Sequence, residues 1–236
     1  MINKKKICCI ITARKGSAGF PGKNLKKINN RPLIFFPISA AKKSRYIQDV
    51  YFNSDCEKMI KIALKSGAIC NFKRPKKLAN ATAKSSDVLI HQIKKDKLHQ
   101  KYEYILLLEP TSPLTETKDI DNAIKKIFLN KKATSLISVS DFTLPNSELS
   151  FKSNSKKKFL IPINPKSFYL KRRQDFKKKL FIDGSLYITK INSFLNYKSF
   201  IQPNTTYIKL KNFKMFQIDR ELDFDIVDFL YKKFIN

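Results

Sequence analysis

The sequence predicts an α/β fold: a doubly wound, mostly parallel, Rossmann-like sheet covered by helices. Three observations carry this. Apolar runs of strand length alternate with amphipathic helical stretches in a βαβα rhythm. The first run, Ile7 to Thr12, is short and almost unbroken, as in a strand buried on both faces. A turn rich in glycine and lysine follows it at once, where open α/β sheets bind their ligands.

The elements follow in order. Pro32 is expected to open a helix running to about Ser44, since proline suits a first helical position. Val50 to Phe52 reads as a second strand. Ser54 and Asp55 are N-cap types before a helix over Glu57 to Lys65, and Gly67 suits the position just past its end. Ala68 to Cys70 is a short third strand, and Arg74 to Ala79 is loop. A helix from Ser85 to Lys97, a strand from Tyr104 to Leu108, a helix from Asp119 to Leu129 and a strand from Leu136 to Val139 continue the alternation. Residues Asp141 to Lys179 break it: they are rich in Ser, Asn, Pro and Lys, and read as an arm or hairpin lobe leaving the sheet. Regularity returns at Leu180 to Thr189, Thr206 to Leu210 and Met215 to Ile218, before a final helix near Asp223.

A chain of 236 residues with 42% apolar content suits a single domain, here 1–236 with 141–180 as the inserted arm. The net charge of +29 invites a nucleic-acid reading. Only seven of the 48 basic residues are arginine, however, and the lysines lie in every segment, so a solvated lysine surface accounts for them better. Neither a nucleic-acid partner nor a membrane is expected. Cys8, Cys9, Cys56 and Cys70 form no CxxC pair and the histidines are two, which argues against zinc. Buried reduced thiols, and an apolar run at the short limit for a signal segment with Arg14 and Lys15 directly after it, point to the cytoplasm.

Chemistry concentrates in Thr12 to Asn24, T-A-R-K-G-S-A-G-F-P-G-K-N. Gly16, Gly19 and Gly22 would let backbone approach phosphates, and Arg14, Lys15 and Lys23 would neutralise them. The spacing G-x-x-G-x-x-G is neither the dinucleotide fingerprint nor a Walker A loop, and a glycine-rich surface turn is the plainer alternative.

This segment closely resembles the signature loop of the CMP-N-acylneuraminate (sialic acid-type) synthetases. The resemblance continues through Arg31-Pro-Leu, Asn53-Ser-Asp55, Arg74-Pro with Leu78-Ala79 and Thr82-Ala83, and Leu107-Leu-Glu-Pro-Thr-Ser-Pro-Leu114. Arg173-Gln174, Asp183-Gly-Ser-Leu-Tyr187 and Ile218-Asp-Arg-Glu-Leu-Asp223 extend it. Each motif is weak alone; seven in order, together with the loop, are specific.

The resemblance implies a nucleotidyltransferase fold of glycosyltransferase-A type with a small dimerisation arm. It implies transfer of CMP from CTP to the anomeric hydroxyl of an acidic nine-carbon 2-keto sugar. Arg14 and Lys23 would be catalytic on the phosphates. Ala13, Gly16, Ser17, Asn24 and Arg74 would complete the nucleotide site. Glu109, Arg173, Gln174, Asp183 and Tyr187 would line the sugar pocket, with Asp219 on Mg²⁺ and a homodimer as the assembly.

Gln217 stands where the family has a second acid, and Glu109 where it has Gln. Glu109 is therefore expected either to supply the missing carboxylate to the metal or to hydrogen-bond sugar hydroxyls. Asp183 replaces an Asn, which suggests a legionaminic or pseudaminic acid relative. Ala81 and Lys84, where the family prefers Asp and Ser, and Thr115, in place of an Arg, are further departures. Asp119, Asp121, Asp223 and Asp225 read as carboxylates complementing helix dipoles, with a supporting role beside Asp219 open for Asp223, and His91 as structural. Competing readings are a synthetase for the eight-carbon acid KDO, a non-catalytic relative, and a nucleic-acid-binding module.

Overall fold

Ile7 to Ile11 carry no side chain suited to water on either face, and all five are fully buried in the computed structural model. Residues 6–16, 19–141, 150–154, 159–176 and 179–235 are described, with only the backbone of Asn154, Phe159, Phe168 and Arg173. In chain order the elements are β1 (Ile7–Ala13), two short strands β2 (Lys27–Ile28) and β3 (Arg31–Pro32), α1 (Phe35–Lys42), β4 (Ile47–Ser54), α2 (Glu57–Lys65), α3 (Ser85–Lys95), α4 (Leu98–Lys101) and β5 (Tyr104–Leu108). There follow α5 (Thr117–Leu129), β6 (Ser135–Ser140), β7 (Phe151–Asn154), β8 (Phe159–Pro162), α6 (Lys166–Tyr169), β9 (Phe181–Lys190), α7 (Ile191–Tyr197), β10 (Thr205–Lys209) and α8 (Glu221–Phe234).

The main sheet has the order β10-β6-β9-β5-β1-β4. β1 lies parallel between β4 and β5, and β10 parallel beside β6, while β9 runs antiparallel to both its neighbours. The chain leaves β1 toward β4 on one side and later enters β5 on the other. That reversal beside β1 is the topological switch point where such sheets bind ligands.

Alternation along β1 builds the two layers. Ile7, Cys9 and Ile11 pack among residues of α1, α2 and α5. Cys8 and Ile10 pack on the opposite face with Leu89 and Ile93 of α3, Leu98 of α4, and Ile191 and Phe194 of α7. Burial pushes both thiols well above their ordinary range, and all four cysteines are free. A third cluster, including Phe20, Leu33, Leu114, Ile218 and Val227, ties the glycine loop to α8.

Some expectations change. Pro32 does not open α1: Lys27–Ile28 pairs with Arg31–Pro32 across Asn29 and Asn30, whose φ of 46° and 59° asparagine tolerates, and the helix starts at Phe35. The third strand shrinks to one bridge between Ile69 and Tyr51. Asp55 does not cap α2, whose N-cap is Cys56; its Oδ1 instead accepts the Lys15 amide at 2.8 Å, turned toward the glycine loop. Met215 to Ile218 is not a strand: a 3-10 turn over Asn212–Met215 leads into irregular chain.

The excursion after β6 leaves the main sheet as expected. β7 and β8 pair antiparallel in a separate sheet, and Tyr169 pins the hairpin by donating to the Ser150 carbonyl at 2.7 Å and accepting from the Ile163 amide at 3.0 Å. Lys156 to Lys158 lie outside the described residues. Among the described residues no helix is long and apolar enough to cross a membrane.

Candidate active site

The segments after β1 and β5 and the stretch from Arg74 into α3 meet the stretch before α8 around a cleft of ≈ 470 Å³. It is lined by Ala13, Arg14, Lys23, Asn24, Arg74, Glu109 and Asp219, seven of the residues expected at the site. Gly16 is exposed at the loop edge and does not line it, and Ser17 lies outside the described residues.

Each side chain has a local reason for its place. The buried Asn24 donates from Nδ2 to the Arg14 carbonyl at 3.2 Å, fastening the far end of the loop to its start. Arg14 donates to the Asn80 carbonyl at 2.9 Å. Lys23 Nζ reaches across the cleft to the Ile218 carbonyl at 2.7 Å and Asp219 Oδ1 at 2.8 Å. Gly19 seats the same contact: a Cβ there would lie 2.7 Å from the Asp219 carbonyl oxygen. This glycine is required by the chain's own close packing, a reason distinct from the approach to phosphate expected of it.

Arg74 is buried, donating from its guanidinium to both the side-chain and backbone oxygens of Asn53. Desolvation brings it down to about 10, with Asp55 opposing that shift and Arg14 adding to it, so it stays cationic at neutral pH. Asn53 is held in turn by a hydrogen bond to Gln92. Nothing in the sequence marks Asn53 or Gln92 as anchors for Arg74, although Asn53 belongs to the Asn53-Ser-Asp55 motif.

Glu109 sits at a junction. It lines the cleft and also a neighbouring, mostly apolar pocket of ≈ 280 Å³ formed with Leu107, Ile182, Tyr187, Phe194 and Phe200. Burial raises its carboxyl, the Lys23 charge and a Thr111 hydrogen bond pull it back, and Asp219 adds to the rise. Tyr187 is pushed up to about 12 by burial, then by the charges of Glu109 and Asp183.

Three expected sugar-site residues stand differently. Asp183 lines neither cavity: Oδ1 accepts from Ser138 Oγ and from the Ser185 amide, so the carboxyl is turned into the sheet. Gln174 is exposed in a 3-10 turn, Arg173–Asp175, and lines neither cavity; the Arg173 side chain lies outside the described residues. Of the supporting acids, Asp223 accepts from the amides of Asp219 at 3.0 Å and Arg220 at 2.7 Å, so it both caps α8 and orients Asp219. Asp121 instead accepts from Ser44 and Arg45, away from the cleft.

The donor set suits one magnesium ion. Asp219 and Glu109 offer hard oxygens to one cleft, and Mg²⁺ usually takes one or two carboxylates while phosphates and water complete its shell. No cluster of three or more His, Cys, Asp or Glu occurs among the described residues, and such a shell requires none.

A glycine-bearing turn at the switch point of a mostly parallel sheet, with cations facing carboxylates, suits a nucleotidyltransferase. A family model described as Cytidylyltransferase matches residues 8–231, and the chain belongs to that family. It is 31% identical over 229 residues to the Campylobacter coli post-translational flagellin modification protein B, spanning 96% of this chain and 95% of that one. It is 28% identical over 225 residues to the Campylobacter jejuni pseudaminic acid cytidylyltransferase, with 95% of each chain covered. It is 30% identical over 226 residues to the Campylobacter jejuni CMP-N,N'-diacetyllegionaminic acid synthase, covering 95% and 94%. Among solved structures it is similar to a CMP:2-keto-3-deoxy-manno-octonic acid synthetase complexed with CTP, with TM-score 0.70 and coverage of 97% and 99%; the 15% identity makes that a likeness of fold.

Proposed function

We propose that this chain transfers CMP from CTP to the anomeric hydroxyl of an acidic nine-carbon 2-keto sugar of pseudaminic, legionaminic or sialic type, releasing pyrophosphate. The observation that carries the reading is the paired cavity: a cleft ringed by Arg14, Lys23 and Arg74 opens beside an apolar pocket, with Glu109 in both walls. The names of the relatives support the sugar class.

The residues divide the work. The triphosphate lies along the glycine loop, where Arg14 and Lys23 neutralise charge that grows on pyrophosphate as the sugar oxygen bonds to the α-phosphorus and the bond to the β-phosphate oxygen breaks. Arg74, immobilised by Asn53, holds the nucleotide end. Tyr187 and its apolar neighbours exclude water that would otherwise compete with the sugar hydroxyl. Asp219, oriented by Asp223, and Glu109 hold Mg²⁺, which supplies Lewis-acid stabilisation of phosphoryl charge when bound. In this reading Arg173 meets the sugar carboxylate from a neighbouring subunit, and the working unit is a homodimer assembled through the arm. The enzyme acts in the cytoplasm, where CTP is available.

The test is a ranking of kcat/KM for pseudaminic, legionaminic, N-acetylneuraminic and KDO acids with CTP. A nine-carbon acid is expected to exceed KDO by at least about tenfold, the scale of a few lost contacts. KDO as the best substrate would overturn the sugar assignment and leave the reaction class standing.

A further inference from the structure

The Lys23 ammonium occupies an unusual place for a phosphate-binding lysine. It is folded back onto protein oxygens, 2.7 Å from the Ile218 carbonyl and 2.8 Å from Asp219 Oδ1, and its side chain is only 13% exposed. Glu109 lines the same cleft, so a second carboxylate shares the wall with the one that Lys23 holds. Hard oxygens grouped about a positive charge are also the surroundings a divalent cation requires.

We propose that Lys23 is a built-in counter-ion that holds the metal position until the triphosphate displaces it, so that the divalent cation enters with the nucleotide and not before. This rests on the reading of Asp219 and Glu109 as metal ligands. The exchange follows from charge balance. Without nucleotide, one ammonium offsets the carboxylates, and a cation of charge two would have to expel it into water. When CTP arrives, its phosphate oxygens offer Lys23 a charge-assisted partner at the mouth of the same loop. Asp219 is then released and would be open to a divalent cation. Nucleotide and metal therefore bind with positive coupling, and by linkage each tightens the other equally. The docking of Gly19 against the Asp219 carbonyl keeps the loop and the Asp219 segment in register, so the exchange needs only the lysine side chain to swing.

The experiment titrates Mn²⁺, as the probe, into the purified chain without nucleotide, reading free ion by electron paramagnetic resonance. Lys23→Met should bind Mn²⁺ about tenfold or more tightly than wild type, a little above the net scale of an exposed ion pair. Adding Asp219→Asn or Glu109→Gln to Lys23→Met should abolish the gain. Lys26→Met, which removes a neighbouring charge from the same loop, should leave Mn²⁺ affinity unchanged. Equal affinity in wild type and Lys23→Met, or an equal gain from Lys26→Met, overturns the exchange. A parallel titration with CTP present separates the two ideas: if Asp219→Asn fails to weaken Mn²⁺ there, the metal-ligand assignment falls and the exchange falls with it. If Asp219→Asn does weaken it while Lys23→Met gains nothing without nucleotide, only the exchange falls.

Discussion

Arg74 shows how much of this site is decided by single side chains. Two bonds from one guanidinium to Asn53 fix its plane, which a lysine cannot reproduce. Arg74→Lys should raise the KM for CTP by roughly tenfold with a smaller effect on kcat, measured by steady-state pyrophosphate release. Arg14→Ala should instead lower kcat by about a hundredfold or more, because it removes a charge partner of the leaving phosphates. Glu109 makes a different prediction. Its carboxyl is raised by burial, so the folded state holds a proton more tightly than the unfolded chain. Stability therefore falls as pH climbs from the ordinary carboxylate value through the raised one, and stays lost above it. Glu109→Gln should raise the thermal midpoint at pH 7, leave it nearly unchanged at pH 4, and lower metal affinity in the presence of CTP. At this scale the sequence was informative: the cations and carboxylates lay in recognisable motifs. What it could not convey was side-chain direction. Asp183 sits in such a motif, yet Ser138 and the Ser185 amide turn its carboxyl into the sheet.

The segment carrying Asp219 owes its position to elements the sequence concealed. Lys214, 2% exposed, places its ammonium between Glu116 and Asp119 at the start of α5. Asp119 is the firmer partner at 15% exposure against 47% for Glu116, and it also completes the capping box by accepting the Glu116 amide. Asp119→Ala should cost about 2–3 kcal/mol in urea unfolding, combining a lost cap with a partly uncompensated buried charge. Gly184 fixes the other side of the segment. Its φ is +73°, and a Cβ would fall 1.7 Å from Gln217 Nε2, the group that donates to the Asp183 carbonyl. Gly184→Ala should destabilise by about 2 kcal/mol or more, and adding Gln217→Ala should recover only part of it, because the clash is relieved and the backbone strain is not. Strands of continuous apolar residues were legible because they are buried on both faces. Met215 to Ile218 looked equally strand-like, but Ile218 is buried in a cluster with the glycine loop and α8, and its amide is spent on the Thr111 carbonyl at 2.9 Å. Pro32 misled because the Asn29–Asn30 turn closes a hairpin before the helix begins.

At the scale of the whole molecule, the +29 charge and the arm need separate accounts. The cleft draws on two of the seven arginines, Arg14 and Arg74, while the lysines are spread over the entire sequence. Nucleic-acid affinity should therefore be weak and lost between 50 and 200 mM salt, as for non-specific charge attraction. The β7–β8 hairpin leaves Leu160 and Ile161 exposed, and Leu160→Ser with Ile161→Ser should shift the mass measured by light scattering from dimer toward monomer if the arm joins subunits. The sequence anticipated a segment leaving the sheet because its composition lost every period; its partner surface was beyond reach, since a hairpin's apolar face does not say what covers it. The central claim is CMP transfer, and the most direct measurement incubates the protein with CTP, Mg²⁺ and nine-carbon 2-keto sugar acids and follows pyrophosphate together with the mass of the nucleotide product. The expected result is sugar-dependent pyrophosphate release in step with one CMP-sugar adduct, lost in Arg14→Ala. Absence of CTP binding, with no adduct from any acid, would contradict it.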